Sequence, residues 1–505
     1  MTINKTTGET SVVKVWKNNS RFPPNAVREI SALNALNHPN IVKIKGINIE
    51  TDISLFLETA EYNLYEWMNE QNPFIPKNVE EEIYNSDTLR KLIYQIILGM
   101  DYIHRNKIYH RDLKPQNILV RKDKSIAIAD FGLSRSDPFE YICMSKEAYT
   151  LWYRPPEILY IDFLEAKNSK AKYRLEQEIL SSNKTSLLEK TEEEIKNISL
   201  NIKDAREDYL GTSKSVIKCP RYGASADVWS VGMVILDILL SGSSNEYLLR
   251  GKETIDQYYR LLFRNPEKLG MDRYKYFAED KSYLISPDLW DLLIGLTKIN
   301  PEDRFSLSQA LRHEYFKNIF DEKDIVPIHI INPNDDIIGC IMGNSITPNI
   351  LKISFERLID MKKKYKLDIN SLTLCFQLIK CYIGRRRLDK KYLQLYACAA
   401  LMLACNYYEI YSPRYEDMVE ASFTVEELSQ AIKDIFLVVG AQLHLDTSWS
   451  MILEQREIKL EDYRDFDNKL MEDIVSNAEV DLVSISLNII VEYSWKIYFK
   501  RNRSS

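Results

Sequence analysis

Hydrophobic and polar positions change rhythm three times along the chain. In SVVKVW, residues 11–16, they alternate, which predicts a strand with one buried face. AVREISALNAL, residues 26–36, places its apolar positions at helical spacing and predicts a helix. NHPN is turn chemistry, and IVKIKGI and SLFLE predict further strands. From about residue 61 to 320 the pattern is mostly helical, interrupted by a loop-rich stretch from Tyr109 to Arg154. A small β-rich lobe followed by a larger α-rich lobe is the outcome, and the seam between two lobes is a natural small-molecule site.

Within the larger lobe, residues 164–218 stand apart. They lack proline, carry nearly balanced charge and are rich in helix formers, which predicts an inserted segment of one or two exposed helices, either simply solvated or partner-binding. Residues 321–348 hold several prolines, Asn and Asp and read as a linker. From 349 to 445 the segments FERLIDMKKKY, LTLCFQLIKCYI, LQLYACAALMLACNYY and TVEELSQAIKDIFLVVGAQL predict a bundle of amphipathic helices. A helical tail over 446–505 ends in the basic RNRSS.

Composition narrows the function classes. The 505 residues are 45% hydrophobic, which excludes wholesale disorder and leaves room for about three globular units. A formal net charge of −6 argues against a large basic surface, so no nucleic-acid partner is expected. The apolar run from Val228 to Leu240 is broken by Asp237 and is too short to span a bilayer, and MTINKTTGET is too polar for a signal peptide. No membrane partner is expected, and the location is read as intracellular, cytoplasmic or nuclear. Seven cysteines without a CxxC pair fit reduced, buried thiols.

The chemistry concentrates in YHRDLKPQNILV, residues 109–120, and ADFGLSR, residues 129–135. Phosphoryl transfer needs positioning and charge neutralisation more than covalent chemistry, and these segments offer both. Asp112 can accept the proton of a substrate hydroxyl. Lys114 can balance charge on the moving group. Asn117 and Asp130 present hard oxygens that suit Mg2+.

These two motifs, in this order, resemble those of the eukaryotic protein kinases, and Lys114 two residues beyond Asp112 resembles the Ser/Thr branch. The resemblance implies an α+β, two-lobed protein kinase fold, ATP and Mg2+ as cofactors, and protein substrates. It implies that Lys14 contacts ATP, that Val12 and Leu119 form the roof and floor of the adenine site, and that Glu58 and Ala60 offer hinge backbone groups to adenine. PPNAVREISAL resembles the PSTAIRE helix of cyclin-dependent kinases and supplies Glu29 as the ion-pair partner of Lys14. TLWYRPPEIL resembles the segment after the activation loop, with PPE in place of APE; Glu157 would pair with Arg304, and WYR hints at Ser/Thr-Pro substrates. Asp227 of SADVWSVG would brace the catalytic loop. Ser145 falls at the position of the activating phosphorylation, and Arg28, Arg111 and Arg135 fall where three arginines would clamp that phosphate.

Residues 349–445 resemble the cyclin box, an all-α cyclin-like domain. In kinase–cyclin pairs the cyclin packs on the PSTAIRE helix, so an intramolecular partner is implied. A linker of about 30 residues spans up to roughly 100 Å, enough for docking in cis. Cell-cycle proteins are further candidate partners. Three features depart from the family. Thirteen residues precede Lys14 and contain no GxGxxG, so the N-lobe is read as truncated at its first strands. Asn406 and Ile432 stand where charged anchors usually grip the kinase. The insert at 164–218 lies close to the expected substrate face. Two readings of function follow: an ATP-dependent Ser/Thr kinase activated in cis, favoured by the five polar positions Lys14, Glu29, Asp112, Asn117 and Asp130; or a catalytically weak pseudokinase scaffold that binds or sequesters cell-cycle regulators, favoured by the missing Gly-rich loop.

Overall fold

The computed structural model describes residues 2–3, 8, 10–17, 21–49, 52–70, 87–136, 153–156, 158, 223–239, 286–298, 300–328, 346, 348–409, 412–419 and 423–444. The insert at 164–218, the tail at 446–505, Ser145 and Glu157 lie outside the described residues.

The first lobe is a four-stranded sheet with one helix. Strands β1 (Thr2–Ile3), β2 (Thr10–Trp16), β3 (Ile44–Asn48) and β4 (Ile53–Leu57) lie in the order β1-β2-β4-β3, with β4 antiparallel to both of its neighbours. Alternation drives the pairing: Ile53, Leu55 and Leu57 of β4 are buried, while Ser54 and Phe56 are half-buried. Lys14 sits opposite Leu55. Helix α1 (Pro24–Ala35) begins with proline at its first position, where no backbone N–H is needed. Its Ala26, Val27, Ile30 and Leu33 are buried, as is Glu29. Burial on most sides means that α1 has neighbours on two fronts.

The second lobe is helical. After α2 (Leu64–Glu70), which follows the short β5 (Tyr62–Asn63), the amphipathic α3 (Asp87–Arg105) buries Leu89, Leu92, Ile93, Ile96, Ile97, Met100 and Ile103. Four short strands then frame the motif loops. β6 (Ile108–Tyr109) pairs with β9 (Arg135–Ser136), and β7 (Ile118–Val120) pairs with β5 and with β8 (Ile126–Ile128). Helix α4 (Ala224–Leu239) contains most of the long apolar run and lies in the core, where Tyr153 Oη donates to Asp237 Oδ2 at 2.6 Å. It packs against α5 (Pro287–Leu296), with α6 (Leu307–Leu311) alongside α3. The start of the segment read as linker is fastened to α3: Tyr94 Oη donates to Asp324 at 3.0 Å and Arg105 to the Val326 carbonyl at 2.9 Å.

The third unit is a helical domain of α7 (Pro348–Tyr365), α8 (Ile369–Arg385), α9 (Leu393–Tyr408), α10 (Tyr415–Met418) and α11 (Val425–Val438). Small residues make α9 the hub. Ala397, Ala399, Ala400 and Ala404 are buried and let α8 and α11 approach. A capping box starts α11, with Thr424 and Glu427 exchanging bonds at 3.2 and 2.8 Å. Cys375, Cys381, Cys398 and Cys405 are buried free thiols, and burial pushes each of Cys375, Cys381 and Cys405 above the usual value.

This domain covers the outer face of α1. Phe22 N–H donates to Tyr415 Oη at 2.9 Å, and the Phe22 ring meets Phe436 edge-on at 5.2 Å. Asn34 donates to the Gly440 and Ala441 carbonyls at 3.3 and 3.1 Å; these carbonyls are turned outward where the chain leaves α11 with φ of +74° and +55°. Arg21 forms an ion pair with Glu416. Asn406, although uncharged, keeps a grip by donating to the Phe22 carbonyl at 3.4 Å, and Ile432 is fully buried. Neutral hydrogen bonds, apolar contact and the Arg21–Glu416 pair stand in for the charged anchors.

Gly295 on α5 is needed for a close approach. Phe305 N–H bonds to its carbonyl at 2.9 Å, and a Cβ there would lie 1.9 Å from the Phe305 ring. Gly295→Ala is expected to destabilise the second lobe by about 1–3 kcal/mol through overpacking. Thermal unfolding checks this, and an unchanged midpoint would contradict the packing.

Candidate active site

The two lobes converge on one lysine. Lys14, on β2, reaches Glu29 of α1 and Asp130 of the DFG turn with its Nζ, each at 2.7 Å. Glu29 is 1% exposed, so burial pushes its carboxyl up to about 7, against the pull of Lys14. Burial alone would lower Lys14, yet the two carboxylates outweigh it and hold the ammonium above its usual value. Burial likewise works against ionised Asp130, but Lys14 and then His110 hold its carboxyl below the usual range.

Asp227 organises the catalytic loop. It is fully buried on α4 and accepts from the backbone N–H of His110 at 2.7 Å and of Arg111 at 2.9 Å, with His104 Nε2 at 3.1 Å. Burial opposes its charge, yet the His104 bond and the backbone N–H groups keep its carboxyl below the usual value. Arg111 adopts φ +66° and Asp130 φ +64°, the left-handed region that side chains avoid. The two Asp227 bonds hold the first of these bends. His110 helps to hold the second: Asp112 N–H lies 3.3 Å from its Nδ1, so Nε2 carries the proton and donates to the Ala129 carbonyl at 3.0 Å. Its ring packs edge-on against buried Phe131 at 5.0 Å.

Asp112 is anchored by two neighbours. Lys114 Nζ lies 2.6 Å from Asp112 Oδ2, and Asn117 Nδ2 donates to the Asp112 carbonyl at 2.8 Å and to Oδ2 at 3.2 Å. With its amide hydrogens used in this way, Asn117 has its amide oxygen to offer a cation. The Asp130 side chain is 45% exposed and can offer a second hard oxygen. Among the described residues no cluster of three His, Cys, Asp or Glu could enclose a metal. A pair of oxygens fits Mg2+, which keeps waters and takes phosphate oxygens for its remaining positions.

On the nucleotide side, Val12 is 40% exposed and pairs with Leu57 at the entry to the hinge. Leu119 lies half-buried on β7. The Glu58 side chain is taken by Arg121 at 2.7 Å and by the Lys43 N–H at 3.0 Å, and its own N–H by the Lys43 carbonyl at 3.0 Å. The groups that this anchoring leaves for a ligand are the Glu58 carbonyl and the Ala60 backbone.

The three arginines gather beside the helical domain. Arg135 donates to the Tyr407 and Glu409 carbonyls at 3.1 and 3.0 Å, Arg28 to the Glu409 carbonyl at 3.3 Å, and Arg111 to the Leu133 carbonyl at 3.4 Å. The carbonyls at the end of α9 carry the negative end of its dipole. Burial, and then repulsion between neighbouring guanidinium groups, lowers Arg28 to about 10 and Arg135 to about 8. Sequence reasoning missed these carbonyl contacts, and it also missed His104 and Arg121, which no motif spacing marks.

Glu29 generates a signed prediction. Its folded-state value of about 7 lies above the ordinary value, so its ionised form lowers stability as pH rises through that range. Glu29→Gln is expected to raise stability at pH 8 by on the order of 2 kcal/mol, and by little at pH 5, where Glu29 is already protonated. Thermal melts at the two pH values check this; an equal effect at both would contradict it.

Comparison with known proteins agrees with this geometry. Residues 1–179 and 201–316 match the protein kinase domain, and residues 329–444 match the cyclin N-terminal domain. The break at 180–200 falls inside the expected insert. Cyclin-dependent kinase 11 of Dictyostelium discoideum is 30% identical over 325 residues, covering 60% of this chain and 71% of that protein. Among the described residues no helix is long and apolar enough to cross a membrane. The chain belongs to the protein kinase family, with a cyclin domain following the kinase domain.

Proposed function

We propose that the protein is an ATP-dependent serine/threonine protein kinase of the cyclin-dependent type, activated in cis by its own cyclin domain. The observation that carries this reading is the position of Lys14, 2.7 Å from both Glu29 and Asp130, while the cyclin domain covers the helix that bears Glu29. A lysine fixed between two carboxylates from different elements is poised for phosphate oxygens. ATP would enter between Val12 and Leu119 and meet the hinge at Glu58 and Ala60. Asn117 and Asp130 would hold Mg2+, which when bound shields the charge of the phosphates.

The remaining steps belong to the chain. Asp112 orients the substrate hydroxyl and accepts its proton as the oxygen bonds to the γ-phosphorus and ADP leaves. Lys114, already against Asp112, balances charge on the transferring group. The DLKPQN loop supports hydroxyl substrates on Ser and Thr. Phosphorylation of Ser145 would bring a dianion to Arg28, Arg111 and Arg135 and relieve their mutual repulsion. Domain limits near 320 and 348 and a functional insert at 164–218 belong to the same reading.

Two outcomes test it. Purified protein given labelled ATP, Mg2+ and a generic Ser/Thr substrate should transfer phosphate, and Asp130→Asn should reduce the rate by at least about 100-fold. Equal signal from both proteins would end the kinase reading. Ser145→Ala should lower the rate several-fold relative to fully phosphorylated wild type, and an unchanged rate would remove the switch.

A further inference from the structure

Where β9 touches the cyclin domain, three polar side chains meet. His444 Nδ1 lies 3.0 Å from Ser136 Oγ and 3.2 Å from Tyr407 Oη, and the imidazole also bonds to the Asn106 backbone. With Nδ1 facing two hydroxyls, Nε2 carries the proton and donates to the Asn106 carbonyl. Nδ1 has one lone pair, so one hydroxyl donates to it and the other closes the triangle through the Ser136–Tyr407 bond. Ser136, Tyr407 and Asn106 are all buried.

We infer that this relay, with His444 as its acceptor, is a specificity determinant of the contact between the kinase and cyclin domains. Part of the rest of the interface is tolerant of sequence, beside the side-chain contacts of Tyr415, Glu416 and Phe436. Arg28, Arg135 and Asn34 all donate to backbone carbonyls, which a similar helical domain would present whatever its side chains. Among the described residues, His444 faces a kinase-domain donor, Ser136, and a kinase-domain acceptor, the Asn106 carbonyl, at once. An apolar residue at 444 would leave both without their partner in a buried place. Orphaning a buried polar group weakens an association by roughly 5- to 150-fold, whereas removing both partners together is far milder. The relay therefore favours this chain's own cyclin domain over one lacking the imidazole.

The surroundings also make the relay a poor host for a proton. Arg135, next to Ser136 on β9, and Arg28 on α1 both act on Tyr407, the relay's third member. Glu409 turns its carboxylate away, to the Asp368 N–H and Ser371 Oγ, both at 2.7 Å. Burial lowers His444 to about 4. An undocked His444 titrates near 6.5, so the undocked state binds more protons between these values. Docking is complete in strength above about pH 6.5 and weakens below it, by about tenfold at pH 5.5 relative to pH 7.5.

The inference rests on docking in cis and not on catalysis. The test is hydrogen exchange of the Phe22 amide in the full chain, since that N–H is bound by Tyr415 across the interface. His444→Phe should lower Phe22 protection at least about fivefold, and His444→Asn, which keeps an acceptor near the Nδ1 position but has no donor for the Asn106 carbonyl, should lower it less than His444→Phe does. Ser136→Ala with His444→Phe should cost less than the product of the single effects. A loss below twofold in His444→Phe, or fully multiplicative effects, would overturn the inference. If His444→Phe also exposes the amides of α9, the pH series decides. Wild-type protection, corrected for intrinsic exchange, should fall about tenfold from pH 7.5 to 5.5 while His444→Asn stays flat; a flat wild type would overturn it. A Phe22 amide unprotected in wild type at pH 7.5 would overturn docking itself, and the relay with it.

Discussion

Keeping an ionised carboxylate at Glu29 is the constraint on which the site depends. A buried charge is tolerated only when its partner is close and fixed. Lys14 answers that need in part, from 2.7 Å, and it can do so only while α1 holds Glu29 beside β2. Nothing inside a single helix enforces that position. Two bodies do: the first lobe, where Lys14 of β2 meets Glu29, and the cyclin domain, whose α9 packs on α1. The ion pair and the interdomain contact are therefore linked. On the proposed reading, loosening the Phe22–Phe436 contact would let α1 move and leave Lys14 with Asp130 alone.

The same logic of buried charge governs the lower lobe. Asp227 is fully enclosed, yet it is held ionised because two backbone N–H groups and His104 converge on it. Those bonds hold Arg111 in its left-handed conformation, and that bend brings Asp112, Lys114 and Asn117 together. Arg111 also belongs to the arginine group that abuts the cyclin domain. A continuous set of polar contacts thus runs from the α4 core through the catalytic loop to the interface, with Arg135 and Ser136 on the short strand that follows DFG.

Much of this was legible in the sequence because the chemistry sits in short stretches. HRDLKPQN and DFG place Asp112, Lys114, Asn117 and Asp130 within 19 residues, and the alternation of SVVKVW marked Lys14 on a strand. The strand order was not legible, since alternation names a buried face but not a neighbour. Nor was the grip of the cyclin domain. Phe22 and Tyr415 lie 393 residues apart. The arginines bind carbonyls, which carry no residue identity. Asn406 looked like a lost anchor by its missing charge, yet its amide reaches the same helix approach through a hydrogen bond. His444 lies just beyond α11 in a stretch without a motif, and only the fold brings it to Ser136.

The claim that the chain supplies its own activator is tested most directly by measuring phosphoryl transfer per molecule as the full-length protein is diluted. A tethered domain meets its kinase at an effective concentration set by the linker and not by the solution. Docking in cis predicts a specific activity constant within about twofold from about 1 nM to 1 μM protein. A specific activity that climbs with concentration over that range would mean that the cyclin domain acts on another copy, and would contradict activation in cis.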